Sequence, residues 1–122
     1  MNNQTRPPAL VVEDDPGLLA IFAKAMEMAG FDVKTITDGG EALLYLKTTT
    51  PEVVVLDLHL PTLSGVEIFQ YFHNKPRFSE TRVIVTTADL AAANTLGQEV
   101  DLVLVKPISF NQLRDLAVRL RR

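Results

Sequence analysis

The stretch from Val53 to Gly65, VVVLDLHLPTLSG, decides the fold of this chain. Its first four residues are apolar and three of them are β-branched, which is typical of a strand buried on both faces. The strand runs directly into a carboxylate, Asp57, and Leu60-Pro61 then prevents a helix or strand from continuing. We therefore expect Asp57 at the carboxyl end of a central strand, where open α/β sheets bind their ligands.

Further strand patterns alternate with helical patterns on both sides of this stretch. Apolar runs lie at Ala9 to Val12, Val83 to Val85 and Leu102 to Val105, and Phe31, Val33 and Ile36 mark a less buried strand. Right-handed crossovers convert such an alternation into a parallel sheet with helices on both faces. The pattern thus predicts an α/β fold of five strands and five helices in three layers.

Short polar signals set the ends of the predicted helices. Asp15-Pro16 is typical of a helix start, with Asp as the N-cap and Pro at the first helical position. Asp38-Gly39-Gly40 predicts a turn, after which the second helix begins at Glu41. Ser109 is expected to cap the last helix. The segment between the fourth and fifth strands leaves room for only a short fourth helix.

Composition limits the class of protein. The sequence predicts one domain over residues 9–122, preceded by a leader over residues 1–8 that we expect to be disordered. The leader lacks the apolar centre of a signal peptide, and the apolar runs are too short to span a membrane. The absence of cysteine fits a reducing compartment, so we expect a cytoplasmic protein. A net charge of -3 argues against nucleic acid as the main partner of this domain.

Polar residues follow four of the five predicted strands. Glu13 and Asp14 follow the first strand, and Asp57 ends the third. Thr87 ends the fourth and Lys106 ends the fifth. Because the carboxyl ends of parallel strands lie at one edge of the sheet, we expect these five residues to meet there.

Three carboxylates at one edge repel one another unless a cation joins them. Carboxylate oxygens with a carbonyl and waters suit Mg2+, and Lys106 would add a second positive charge. Such an arrangement fits phosphoryl transfer, with Asp57 as the nucleophile and the Thr87 hydroxyl nearby. The alternatives are that the acids are solvated loop residues and that Thr87 bonds only to its own turn.

Four segments, in this order and spacing, resemble the receiver domain of bacterial two-component response regulators. They are LVVED at Leu10 to Asp14, VVVLDLHLP at Val53 to Pro61, TTAD at Thr86 to Asp89 and VKP at Val105 to Pro107. The resemblance extends from about Ala9 to Arg122 and implies a flavodoxin-like (βα)5 sandwich with the parallel strand order 2-1-3-4-5. It also implies a signalling phosphoacceptor, which is not an enzyme in the usual sense.

The resemblance further implies a role for each residue at this edge. Asp57 would accept a phosphoryl group from a histidine kinase or a histidine phosphotransfer protein. The other implied roles are Mg2+ binding by Asp14, by Glu13 through water and by the backbone carbonyl of His59, phosphoryl binding by Thr87, the amide of Ala88 and Lys106, and control of the acyl-phosphate lifetime by the side chains of His59 and Asp89.

The sequence departs from the receiver pattern on the side where such domains signal. Receivers usually carry Tyr or Phe three residues before the lysine, but this chain has Val103 there. We expect any homodimer or effector contact to use the fourth helix, the fifth strand and the fifth helix. One alternative is an interaction module that has lost phosphorylation-dependent switching. Another is a magnesium-dependent phosphohydrolase, which the single acid at Asp57 disfavours because His59 replaces the usual second Asp.

Overall fold

The computed structural model describes residues 6–121 of the chain. Strands and helices alternate throughout these residues. The strands are β1 (Pro8–Val12), β2 (Asp32–Ile36), β3 (Val53–Asp57), β4 (Arg82–Thr87) and β5 (Leu102–Val105). The helices are α1 (Pro16–Met28), α2 (Gly39–Thr48), α3 (Gly65–Phe72), α4 (Leu90–Asn94) and α5 (Phe110–Leu120).

The strands form one parallel sheet in the order β2-β1-β3-β4-β5, which confirms the predicted order. The central strand β3 is buried along its whole length, because strands flank it on both sides and helices cover both faces. β2 is an edge strand with three exposed residues among its five. The chain order changes direction between β1 and β3, so a crevice opens at their carboxyl ends.

Two hydrophobic cores lie on opposite faces of the sheet. The first joins the sheet to α2, α3 and α4, and it is centred on residues such as Leu46, Phe69 and Ala93. The second joins the sheet to α1 and α5 through residues such as Phe22 and Leu113. Alternate residues of each central strand enter alternate cores, as the two-residue period of a strand requires. The three predicted layers are therefore present.

Side-chain caps fix the starts of the helices at the carboxyl edge of the sheet. Asp15 Oδ1 accepts a hydrogen bond from the amide of Leu18 at 3.0 Å, which confirms Asp15 as the N-cap of α1. Ser109 caps α5 in the same way by accepting from the amide of Gln112. Ser64 and Glu67 form a full capping box at the start of α3, which we did not predict.

The prediction of a turn at Asp38-Gly39-Gly40 is wrong. The helix α2 begins at Gly39, and Asp38 is its N-cap, accepting a hydrogen bond from the amide of Glu41 at 3.0 Å. The low helix propensity of two glycines suggested a turn, but tertiary packing overrides it here. A Cβ on Gly39 would lie only 1.9 Å from the carbonyl oxygen of Leu63, so a glycine is needed where α2 meets the β3–α3 loop.

Strand β1 begins one residue before the predicted domain start at residue 9. Pro8 belongs to β1 and pairs with Asp32 of β2. The guanidinium of Arg6 donates hydrogen bonds to the carbonyl oxygens of Glu27 and Phe31, near the end of α1. Arg6 thereby ties the segment before β1 to the connection between α1 and β2. The remainder of the predicted leader, residues 1–5, lies outside the described residues.

The fourth helix is short, as predicted. α4 has 5 residues and is followed by a 3-10 turn at Gly97–Glu99. Over residues 6–121, none of the helices combines the length and the apolar character needed to cross a bilayer.

Candidate functional site

The candidate site lies at the carboxyl edge of the sheet, between β1 and β5. Asp57 of β3 is level with Thr86 of β4, and Thr86 is level with Leu104 of β5. Glu13 directly follows Val12, whose partner in β3 is the residue before Asp57. Glu13, Asp57 and Thr86 therefore form a row across the sheet, and Lys106, which directly follows β5, lies two residues beyond the level of this row.

Three carboxylates meet at this edge of the sheet. One oxygen from each of Glu13, Asp14 and Asp57 lies within 4.8 Å of the other two. Glu13 and Asp57 are only 1% and 2% exposed, whereas Asp14 is open to solvent. Buried carboxylates at this separation are costly unless positive charge compensates them.

Lys106 supplies positive charge to both buried acids. Its Nζ atom lies 2.9 Å from Oε1 of Glu13 and 3.2 Å from Oδ2 of Asp57, to which it donates a hydrogen bond. The Glu13 contact is ionic, since it lacks the alignment of a directed hydrogen bond. The lysine side chain reaches from β5 past β4 to do so, because β4 separates β5 from β3 in the sheet.

The ion cluster shifts two pKa values. Burial raises the pKa of Glu13, and the nearby charge of Asp57 adds to the effect, although Lys106 opposes it. Burial alone would lower the pKa of Lys106, but the two acids together raise it. Because the pKa of Glu13 is raised in the folded chain, its contribution to stability is largest at acid pH. This contribution declines as pH rises above 4.5, the ordinary pKa of a glutamate side chain. That of Lys106 is lost only as pH rises beyond 10.5.

The loop after β3 holds Asp57 in place. The other carboxylate oxygen of Asp57, Oδ1, accepts a hydrogen bond from the amide of His59 at 3.0 Å. The amide of Gly65 donates to the carbonyl of Leu58, which brings the start of α3 against the loop. The His59 side chain is exposed. Asp57 is thus bound on both oxygens, one by an amide and one by an ammonium group.

The β3–α3 loop is also tied to α2. The hydroxyl of Thr62 donates a 2.7 Å hydrogen bond to Oδ1 of Asp38, the N-cap of α2. Thr62 has a φ of 72°, a left-handed conformation that costs energy for a residue with a Cβ. This bond, together with that from the Glu41 amide, lowers the pKa of Asp38. The N-cap of α2 therefore helps to hold the loop next to Asp57, which sequence patterns did not indicate. The carboxyl edge of the sheet that carries Glu13, Asp14, Asp57, Thr87 and Lys106 is called the rim below.

Thr87 ends β4 beside the same rim. The carbonyl of Thr87 accepts a hydrogen bond from the amide of Lys106 at 2.8 Å, which joins the ends of β4 and β5. Its buried hydroxyl accepts from the amide of Asp89 at 2.9 Å and donates to the carbonyl of Asp89 at 3.2 Å. In this structure the hydroxyl therefore bonds to its own turn, the alternative considered above. Ala88 lies between them and is exposed.

Two further positions bear on the site. Thr86 is fully buried, and its hydroxyl is one of two buried side-chain polar groups in the described chain that lack a hydrogen-bond partner. Sequence reasoning missed Thr86, although the two-residue period from Ile84 places it on the face of Asp57. Val103, in place of the usual aromatic residue, is partly buried in β5 and packs against the core under α2, α3 and α4.

The arrangement can neutralise charge around one acceptor carboxylate. Three carboxylates offer hard oxygen ligands to a divalent cation. Lys106 offers an ammonium group that already contacts two of them, Glu13 and Asp57. Phosphoryl transfer depends mainly on such positioning and charge neutralisation.

Comparisons with known proteins agree with this geometry. A family model described as the response regulator receiver domain matches residues 9–118. The phosphate regulon transcriptional regulatory protein PhoB of Rhizobium meliloti is 32% identical over 110 residues, which cover 88% of this chain and 48% of PhoB.

Two solved structures share the fold. Chemotaxis response regulator CheY4 of Vibrio cholerae superposes with a TM-score of 0.82 at 23% identity, covering 96% of this chain and 100% of CheY4. The receiver domain of the sensor histidine kinase PA1611 of Pseudomonas aeruginosa, solved with a magnesium ion in its active-site cleft, gives 0.81 at 20% identity, covering 94% and 97%.

The match covers about half the length of PhoB, and a 62-residue match to the transcriptional regulatory protein PrrA of Mycobacterium leprae, 42% identical, covers 27% of that protein. The family match extends over nearly all of the described residues, from β1 into α5. The chain therefore belongs to the family of response regulator receiver domains.

Proposed function

We propose that this chain is the phosphoacceptor module of a two-component system and that Asp57 is the residue that is phosphorylated. One observation carries the proposal: Asp57 is a buried carboxylate paired with Lys106 and grouped with two further acids. No arrangement of solvated loop acids would bury Asp57 and Glu13 together beside a lysine. The geometry instead suits an acid that gains negative charge on phosphorylation, because the Lys106 ammonium is already in place beside it.

The proposed step moves one phosphoryl group. A carboxylate oxygen of Asp57 forms a bond to phosphorus while the bond from phosphorus to the donor breaks. The donor leaves as imidazole when it is a phosphohistidine and as acetate when it is acetyl phosphate. Lys106 would then pair with the phosphoryl oxygens, since its ammonium already lies 3.2 Å from Oδ2 of Asp57.

The acidic residues fit a bound Mg2+ ion. Asp14 and Asp57 would hold it directly, Glu13 through a water and His59 through its backbone carbonyl. When bound, the ion supplies positive charge that offsets the negative charge of the incoming phosphoryl group. The raised pKa of Glu13 supports this assignment, because burial beside Asp57 leaves its charged form short of compensation.

The other residues of the rim would act on the phosphoryl group itself. We assign its remaining oxygens to the Thr87 hydroxyl and the Ala88 amide. The Thr87 hydroxyl must first leave its bonds to Asp89, which would couple phosphorylation to movement of the β4–α4 loop. We assign to the exposed side chains of His59 and Asp89 the control of water access, and hence of the lifetime of the acyl phosphate.

We propose that the donor is a histidine kinase or a histidine phosphotransfer protein, and that the phosphorylated domain acts on a partner rather than as an enzyme. A homodimer or an effector would contact α4, β5 and α5. A cytoplasmic location is part of the same proposal. The exposed side chains of Leu90 and Val105 on this side support such a contact.

Incubation with Mg2+ and acetyl phosphate is expected to add one phosphoryl group to the chain, measured by intact mass. Asp57→Asn should abolish the adduct, because it removes the nucleophilic oxygen while keeping the shape of the side chain. Asp32→Asn is a matched control, since Asp32 is exposed on β2 and lies away from the rim. An adduct that persists in Asp57→Asn, or a wild-type chain that takes no phosphoryl group from any donor, would contradict the proposal.

Mg2+ is expected to stabilise the chain through Asp14. At a hundred times its Kd, a ligand of the folded state adds about 2.7 kcal/mol of stability. Asp14→Asn should remove most of this gain in thermal unfolding followed by circular dichroism. Asp15→Asn is the matched control because it keeps an N-cap for α1 and should retain the gain. Equal losses in the two variants would mean that Mg2+ acts through general surface charge.

A further inference from the structure

Thr86 takes no part in the proposed phosphoryl transfer, yet it lies beside Asp57 at the carboxyl edge of the sheet. It is the β4 member of the row that contains Glu13 and Asp57, and its register partner in β3 is Asp57 itself. Val55 and Ile84 enter the core under α1 and α5, whereas Leu56 and Val85 enter the opposite core. By the two-residue period, Asp57 and Thr86 therefore face the same side.

The Thr86 hydroxyl is buried without a hydrogen-bond partner among the described residues. A buried hydroxyl in this condition costs stability, and valine of the same shape would avoid the cost. Buried polar groups without partners are rare, and those that persist tend to mark functional sites. Packing alone therefore does not explain why a hydroxyl occupies this position.

Lys106 offers the matching group. An ammonium group has three donors, and the structure commits one of them to Asp57, whereas the contact with Glu13 is an ion pair without a directed hydrogen bond. Lys106 follows β5, and β4 separates β5 from β3, so the lysine side chain must extend across β4, the strand that carries Thr86, to reach Asp57. The lysine thus has a donor to spare beside a hydroxyl that lacks a partner.

We propose that Thr86 is a positioning residue for Lys106 in the phosphorylated state. This rests on the proposed function. When a phosphoryl group on Asp57 draws the ammonium away from Glu13, the Thr86 hydroxyl accepts a hydrogen bond from Nζ and holds it over the phosphoryl oxygens. The hydroxyl therefore carries a cost in the resting state and gains its partner only after phosphoryl transfer.

The test compares variants with and without the hydroxyl. Thr86→Val and Thr86→Ala remove it, whereas Thr86→Ser keeps it. We expect phosphorylation by acetyl phosphate, followed by intact mass in Mg2+, to slow at least fivefold in both Val and Ala variants and to stay within twofold of wild type in Ser. The melting temperature of unphosphorylated Thr86→Val should equal or exceed that of wild type.

A rate that follows side-chain volume, or that is unchanged in Thr86→Val, would overturn the role of Thr86 and leave the proposed function intact. A Val variant that fails to fold leaves the comparison of Ala with Ser, which differ by the hydroxyl alone, and equal rates there would again overturn it. A wild-type chain that takes no phosphoryl group would instead overturn the proposed function, and the role of Thr86 with it.

Discussion

Lys106→Met is expected to raise the affinity for Mg2+ about tenfold while slowing phosphorylation of Asp57 about a hundredfold. The first effect follows because the Lys106 ammonium and a bound cation compensate the same carboxylates, Glu13 and Asp57. Removing one positive charge leaves the acids more attractive to the other. The second effect follows because phosphoryl oxygens lose the only lysine ammonium that the structure places at Asp57 within the described residues.

The same substitution should destabilise the Mg2+-free chain. Removing one partner of a buried ion pair leaves an uncompensated charge, but the Lys106 side chain is 21% exposed. We therefore expect a loss of about 2 kcal/mol rather than the larger cost of a fully buried pair. Mg2+ should restore much of the loss.

Isothermal titration with Mg2+, urea unfolding and the acetyl phosphate assay measure the three effects. Lys24→Met is the control, because Lys24 is exposed on α1. Weaker Mg2+ binding in Lys106→Met would show that lysine and cation do not share their carboxylates, which contradicts the site as described.

Gly65→Ala is expected to destabilise the chain by about 3 kcal/mol, and to slow phosphorylation as well. A Cβ on Gly65 would lie 2.2 Å from the carbonyl oxygen of Asp57 and 2.8 Å from Cα of Leu58. Both are backbone atoms, so the start of α3 must move away from the loop that holds Asp57. A loss of the 3.1 Å hydrogen bond from the Gly65 amide to the Leu58 carbonyl would follow.

Gly17→Ala provides the matched comparison, since Gly17 also lies in the first turn of a helix. Its Cβ would meet only the Asp15 side chain, at 3.3 Å. Alanine at such a site normally stabilises by about 0.5 kcal/mol or more through the unfolded state. Urea unfolding measures the stability of both variants. Equal stability of Gly65→Ala and Gly17→Ala would show that α3 does not pack against the loop that holds Asp57.

The fold could be predicted because its strands are short apolar runs that end in polar residues. Val53 to Leu56 is apolar without interruption, and a strand of that kind belongs at the centre of a parallel sheet. The N-cap of α1 followed from local chemistry alone, since Asp15 and Pro16 need no tertiary partner to start a helix. The predicted start of α2 was wrong, because Gly39 packs closely against the backbone of Leu63 within the helix instead of forming a turn.

The membership of the site was predictable for a similar reason. Parallel strands bring their carboxyl ends to one edge, so residues as distant in sequence as Glu13 and Lys106 had to lie near it. Their pairing was not predictable. Whether Lys106 contacts Glu13, Asp57 or both depends on side-chain reach across β4, which no sequence pattern encodes.

Contacts between side chains on different elements account for what sequence reasoning missed. The Thr62 hydroxyl bonds to Asp38 across 24 residues, and Arg6 reaches the end of α1 across 21. Neither pair belongs to a recurring motif. Thr86 was missed because the end of the apolar run favoured the neighbouring Thr87, although alternation places Thr86 on the face of Asp57.

A crystal structure with Mg2+ and beryllium trifluoride, a mimic of the phosphoryl group, tests the central claim most directly. We expect beryllium bonded to a carboxylate oxygen of Asp57, one cation held by Asp14 and Asp57, and the Lys106 ammonium on a fluorine atom. Beryllium on any other residue, or a cation bound away from Asp14 and Asp57, would contradict the assignment of this rim as the phosphorylation site.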